Sequence, residues 1–315
     1  MSVWLPTSPC TPEACAGHDG NSASPARAVL RLTTAAALVL LGIVGFQPVR
    51  LLPDRPRRVL VRAWATALVR SFGLRLTVHG NPGPDGGRLI VANHISWLDI
   101  ALVAAVMPCR MLAKSDIRHW PLLGPLSRHN GTLFIERERI RALPDTVDAL
   151  TGALLAGDRV TVFPEGSTWC GRARGTFRRA AFQAALNAGV PVQPVRLAYR
   201  LPDGSPAGAT AFVGDDPLTA SLWRIARARG VRAEVRLLPR IPPGRHPDRR
   251  DLAAAAQAAV AADSVPASSV LLPGVPAQPA APSATDRDRA KRPSASVHHW
   301  VNSSPASASS ARTPS

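Results

Sequence analysis

Apolar and polar positions change period repeatedly along the chain, and the changes predict an alternation of helices and strands. Leu32 to Val49, between Arg31 and Arg50, are 18 residues without a charge. At 1.5 Å per residue they make about 27 Å of helix, enough to cross a bilayer or sit deeply in one. Val59 to Phe72 sets apolar residues among Arg62 and Arg70, as in a second helix lying on a membrane or on the core. Leu74, Leu76 and Val78 alternate with Arg75, Thr77 and His79 in the manner of a half-exposed strand, and Gly80 to Gly87 is rich in turn residues. An apolar run then ends at Asn93 as a buried strand would. Beyond it the pattern gives helix Trp97–Val106, strand Arg110–Lys114, a loop with Pro121, Gly124 and Pro125, strand Thr132–Ile135, helix Ile140–Ala156 and strand Arg159–Phe163. Helix Phe177–Asn187 and a strand from Val190 to Tyr199 follow. Ala209–Val213, Leu218–Ala228, Val231–Leu238 and Leu252–Ala262 continue as strand, helix, strand, helix. The alternation predicts an α/β fold with a mixed, largely parallel sheet flanked by helices, preceded by N-terminal membrane-associated helices.

Composition divides the chain into a disordered tail over 1–26, a membrane-associated helical segment over 27–72, an α/β domain over 73–262 and a second disordered tail over 263–315; both tails are rich in Pro, Ser and Ala. The apolar stretch begins late and is followed by Gln47, Pro48 and Arg50 instead of a small-residue cleavage site, which does not fit a signal peptide. Arg50, Arg55, Arg57, Arg58 and Arg62 follow it, against Arg27 and Arg31 before it, so a spanning helix would leave the domain in the cytoplasm.

The net charge is +17, and the acidic first tail and basic second tail cancel, leaving the basic field on the predicted folded part. Such a field attracts anionic membranes, acidic proteins or phosphorylated substrates. No nucleic-acid motif accompanies it, so a basic binding protein without catalysis is the weaker reading. Cys10, Cys15, Cys109 and Cys170 form no C-x-x-C pair and show no metal-ligand spacing with histidine. Free thiols in a reducing compartment are expected, with no metal and no disulfide framework.

His94 follows Asn93 directly, and Asp99 stands five residues further. On one continuous helix that spacing separates two side chains by about 140°, so the pair can meet only across a turn. A His on the loop and an Asp in the first helical turn would leave one imidazole nitrogen held and the other free to take a proton. Alone, the pair is equally compatible with helix capping. Three more blocks accompany it: Gly131-Thr132-Leu133-Phe134-Ile135-Glu136-Arg137, Phe163-Pro164-Glu165-Gly166-Ser167 and Val190-Pro191-Val192-Gln193-Pro194-Val195. All four stand at predicted strand ends, where open α/β sheets collect ligands.

In this order the blocks resemble those of the glycerolipid acyltransferase family, over about Arg50 to Pro239. The resemblance implies transfer of a fatty acyl group from acyl carrier protein or coenzyme A to a lysophospholipid at the cytoplasmic face of the cell membrane, with 1-acyl-sn-glycerol 3-phosphate giving phosphatidic acid. No cofactor beyond the acyl donor is implied. His94 matches the family's base and Asp99 its orienting acid, and no acyl-enzyme is needed because the acceptor hydroxyl attacks directly. Arg137 matches the phosphate-binding arginine, and Gly131 and Phe134 belong to its block. Lys114, one of two lysines among 38 basic residues, corresponds to a lysine common in related enzymes and is expected to face the phosphate. Asn93, Glu165, Gly166 and Ser167 complete the expected acceptor site, with Glu165 presented to glycerol hydroxyls. Members often continue that block with Thr-Arg-Ser; here Ser167-Thr168-Trp169 stands instead, which opens the acceptor headgroup to lyso-ornithine lipid or another lysolipid. A membrane-anchored serine hydrolase using Ser96 or Ser167 is the remote alternative, since neither lies in a G-x-S-x-G elbow.

Overall fold

The structure, a computed structural model, describes residues 7–18, 20–120, 124–125, 127, 130–136 and 139–262. Among them, seven strands form one sheet: β1 (Arg75–His79), β2 (Arg88–Ala92), β3 (Arg110–Lys114), β4 (Leu133–Ile135), β5 (Arg159–Val162), β6 (Val192–Arg200) and β7 (Arg232–Leu237). Their order is β1-β7-β6-β2-β5-β3-β4. Every pairing is parallel except β6 with β7, so the expected mixed, largely parallel sheet is what forms.

Strand β2 lies inside the sheet and is buried along its whole length. Its period-2 alternation feeds two cores: Ile90 and Ala92 face one side, Leu89 and Val91 the other. On the first side pack α3 (Asp54–Ser71), α4 (Asp99–Val106) and α7 (Leu218–Arg227); on the second pack α5 (Leu143–Leu155), α6 (Ala180–Ala188) and α8 (Arg249–Ala262). The result is three layers, helix on sheet on helix.

Helix α2 (Pro25–Arg50) starts seven residues before the uncharged run, with Ser24 capping it and Pro25 at its first turn. Both ends of the α2–α3 hairpin are tied to the domain. Arg31 donates to the carbonyls of Ala226 and Ala228, each at 2.8 Å, and Gly73, at φ +81, leaves room for that guanidinium where a Cβ could not sit. At the other end Arg58 pairs with Asp85 at 2.9 Å, and mid-way the Trp64 indole donates to the Leu38 carbonyl at 2.8 Å.

Two expectations are corrected. Residues 7–26 are not a loose tail as far as they are described: α1 (Pro12–Cys15) is capped by Thr11, Cys10, Cys15, Ala16 and Ala23 are buried, and Pro25 and Ala26 already belong to α2. Small side chains without periodicity hide this packing from a pattern search, and Gly208 permits it, since a Cβ there would lie 2.4 Å from the Gly17 carbonyl. Ala209–Val213 is not a strand; Gly208–Thr210 is a 3-10 turn, after which the Phe212 amide donates to the Ile95 carbonyl at 3.0 Å. Apolarity there reflects burial without a sheet neighbour. Residues 263–315 lie outside the described part.

Candidate active site

Because β2 and β5 are parallel neighbours, the residues leaving their C-terminal ends meet. His94 follows β2 and Glu165 follows β5. The chain turns over Ile95 to Leu98, and Asp99 opens α4, so the turn demanded by the five-residue spacing is present. His94 Nδ1 lies 2.8 Å from Asp99 Oδ2. The same oxygen accepts the amides of Ile95 at 2.6 Å and Ser96 at 2.9 Å, while Oδ1 accepts the Tyr199 hydroxyl at 2.6 Å. Asp99 is fully buried while the His94 side chain keeps 17% exposure. One member of the pair is fixed and the other reaches the surface of a cleft. The imidazole stacks on Phe163 with ring centroids 4.0 Å apart, which leaves Nε2 as the nitrogen available to a substrate.

Glu165 is buried and its oxygens are already engaged: Oε2 accepts the His94 amide at 2.8 Å and Oε1 the Gly175 amide at 3.1 Å. Burial raises its carboxyl to about 7, opposed by those two amides. Both oxygens therefore brace the backbone behind His94, while Glu165 still lines the cavity beside it. Asn93 lines it too: its amide nitrogen donates to the Leu197 carbonyl at 3.0 Å and its oxygen accepts the Leu197 amide at 2.8 Å, a clamp from β2 to β6.

Gly166 turns the chain at φ +71, and Ser167 beside it is half-buried. Lys114 ends β3, two strands from β2 in the sheet order, and pairs with Asp116; it does not line the cavity beside His94. Gly131 adopts φ +64 with its carbonyl accepting from Arg110, and Phe134 lies under the Arg118 guanidinium at 4.4 Å. Arg137 lies outside the described residues. The Val190–Val195 block sits at the opposite, N-terminal end of β6, since Val192 pairs with Leu89; the second half of that strand, Arg196 to Arg200, lines the cavity beside His94. Ser96 is fully buried, which does not fit it as a hydrolase nucleophile.

The sequence alone misses Tyr199, the one tyrosine of the chain, and Trp169, whose amide donates to the His94 carbonyl at 2.7 Å. Burial and the adjacent Asp99 hold the Tyr199 hydroxyl well above its ordinary pKa, so it stays a donor. All four cysteines are free thiols, as expected, and three of them, Cys10, Cys15 and Cys170, converge in space, which their spacing in the sequence does not show.

The profile of the Acyltransferase family matches residues 75–198, the span from β1 into β6 that carries this cleft. A lyso-ornithine lipid O-acyltransferase of Pseudomonas aeruginosa is 39% identical over 206 residues, 65% of this chain and 78% of that protein. The chain belongs to the acyltransferase family. It is an acyltransferase, and the His94–Asp99 arrangement lies inside the matched span. A 1-acyl-sn-glycerol-3-phosphate acyltransferase of Neisseria gonorrhoeae is 34% identical over 184 residues, 58% of this chain and 71% of that one. The solved 1-acyl-sn-glycerophosphate acyltransferase PlsC of Thermotoga maritima shares the fold, with a TM-score of 0.57 over 75% of this chain and 95% of that one at 20% identity.

Proposed function

We propose that the protein is a membrane-associated O-acyltransferase that moves a fatty acyl group from acyl carrier protein or coenzyme A to the hydroxyl of a lysolipid. The His94–Asp99 pair carries the reading. With Nδ1 held by Asp99, Nε2 takes the proton of the acceptor hydroxyl as its oxygen attacks the thioester carbonyl. Asp99 balances the imidazolium so formed, and the tetrahedral adduct collapses to the ester while that proton passes to the departing thiolate. No enzyme nucleophile enters.

The acceptor read from the four blocks is 1-acyl-sn-glycerol 3-phosphate, with Arg137 and Lys114 as phosphate ligands. A second acceptor, lyso-ornithine lipid, is favoured by the higher identity to the Pseudomonas aeruginosa relative and by Trp169 and its neighbours standing where a Thr-Arg-Ser run would add a cation. Helix α2 supports membrane association. An 18-residue window of its Pro25–Gly45 stretch has a mean hydropathy of 2.0, with 11% of the window buried, while the hairpin is tied to one domain at both ends. We place it in the cytoplasmic leaflet, embedded along the domain surface instead of crossing to the far side.

Purified protein supplied with acyl donor and each acceptor in turn is expected to form phosphatidic acid or ornithine lipid, and His94→Ala to form neither. A His94→Ala variant as fast as the wild type would sink the mechanism.

A further inference from the structure

Cys10 and Cys15 bracket the short helix α1, and Cys170 follows Trp169 in the loop that holds the His94 carbonyl. All three are buried, and their sulfur atoms lie within 4.8 Å of one another. A free cysteine often packs as a small hydrophobe, but apolar packing does not require three sulfurs from two distant segments to converge on one point.

We propose that Cys10, Cys15 and Cys170 form a binding site for a thiophilic divalent ion, zinc by its chemistry. Zinc bonds to thiolate sulfur at about 2.3 Å, which puts the sulfurs of a tetrahedral site about 3.8 Å apart. The observed grouping needs only a small contraction to reach that, with a water in the fourth position. Three side chains lose a proton each on binding, and three metal–sulfur bonds form. The bound ion joins residues 10–15 to the loop after the Glu165 block, and through the Trp169 amide to the backbone of His94. It is a staple and takes no part in the acyl transfer itself. Cys109 stands apart, hydrogen-bonded to Thr161 at 3.1 Å.

The test uses the full chain, reduced and freed of metal with a chelator, then given zinc alone. Elemental analysis after gel filtration is expected to return about one zinc per chain, and thiol titration of the native protein to slow at three of its four cysteines once zinc is added, relative to the metal-free protein. Cys15→Ser and Cys170→Ser should lower the stoichiometry at least tenfold at limiting zinc, while Cys109→Ala leaves it unchanged. Cobalt substitution should give the intense near-ultraviolet bands of thiolate-to-metal charge transfer. The thiol titration needs no variant, so a misfolded substitution does not blunt the test. Zinc that shields no thiol, or a disulfide between two of the three found by non-reducing peptide mapping, would overturn the proposal.

Discussion

At the scale of single residues, the proposed site consists of one partly exposed imidazole and a ring of groups that fix it. Asp99 takes three donors on one oxygen and the Tyr199 hydroxyl on the other, so its direction is set before any substrate arrives. Preorganisation of this kind is what a general base needs from its orienter. Tyr199→Phe removes one donor without changing the shape of the pocket. A hydrogen bond to a charged group contributes about 1.5–3 kcal/mol, and part of that is expected in the barrier, where Asp99 balances the imidazolium. We expect kcat to fall about tenfold with KM nearly unchanged. A change in KM alone, with kcat intact, would show Tyr199 to be a packing residue only.

At the scale of elements, legibility followed period and proximity. Strand β2, helix α4 and the His94–Asp99 turn between them could be read because they are adjacent in the chain and their patterns are strong. Glu165 could be found as a block, but not its direction: its inward turn depends on β5 lying beside β2, so that the His94 amide is within its reach. Tyr199 was invisible for the same reason, since β6 must flank β2 before its hydroxyl meets Asp99. The α1 segment failed differently, because cysteine and alanine at irregular spacing imitate a tail. Helix α2 was legible in composition, and its role belongs to the element as a whole. Val29, Leu30, Leu40, Leu41 and Val44 are exposed and fall on one stripe at helical spacing. We expect Leu40→Glu with Val44→Glu to move the protein from the membrane pellet to the soluble fraction in vesicle sedimentation, because each removes apolar area from the bilayer and adds a charge repelled by anionic lipid. Soluble acceptor analogues should still be turned over, since neither residue approaches His94. Unchanged sedimentation would remove this face from the membrane contact.

For the molecule as a whole, the fixing of the site has a measurable cost in stability. Glu165 is buried, and burial, helped by the nearby Asp99, outweighs the two amides and Arg174 that favour its ionised form, holding the carboxyl near 7 where an exposed one titrates near 4.5. Below about pH 4.5 both folded and unfolded chains carry the proton, and the group has no effect on the balance. Between 4.5 and 7 the unfolded chain releases it while the folded chain retains it, so stability falls as pH rises; above 7 both are ionised and the loss stays constant. The full loss is on the order of 3 kcal/mol, at about 1.4 kcal/mol per tenfold change in acidity. Glu165→Gln cannot ionise, yet its NH2 group must face one of two amide donors, so it starts less stable at acid pH. Denaturant unfolding at pH 5 and pH 8 should therefore show the variant well below the wild type at pH 5 and closer to it at pH 8, the gap narrowing by about 2 kcal/mol. A gap of the same size at both pH values would mean that Glu165 is ionised throughout, and that the two amides outweigh burial after all.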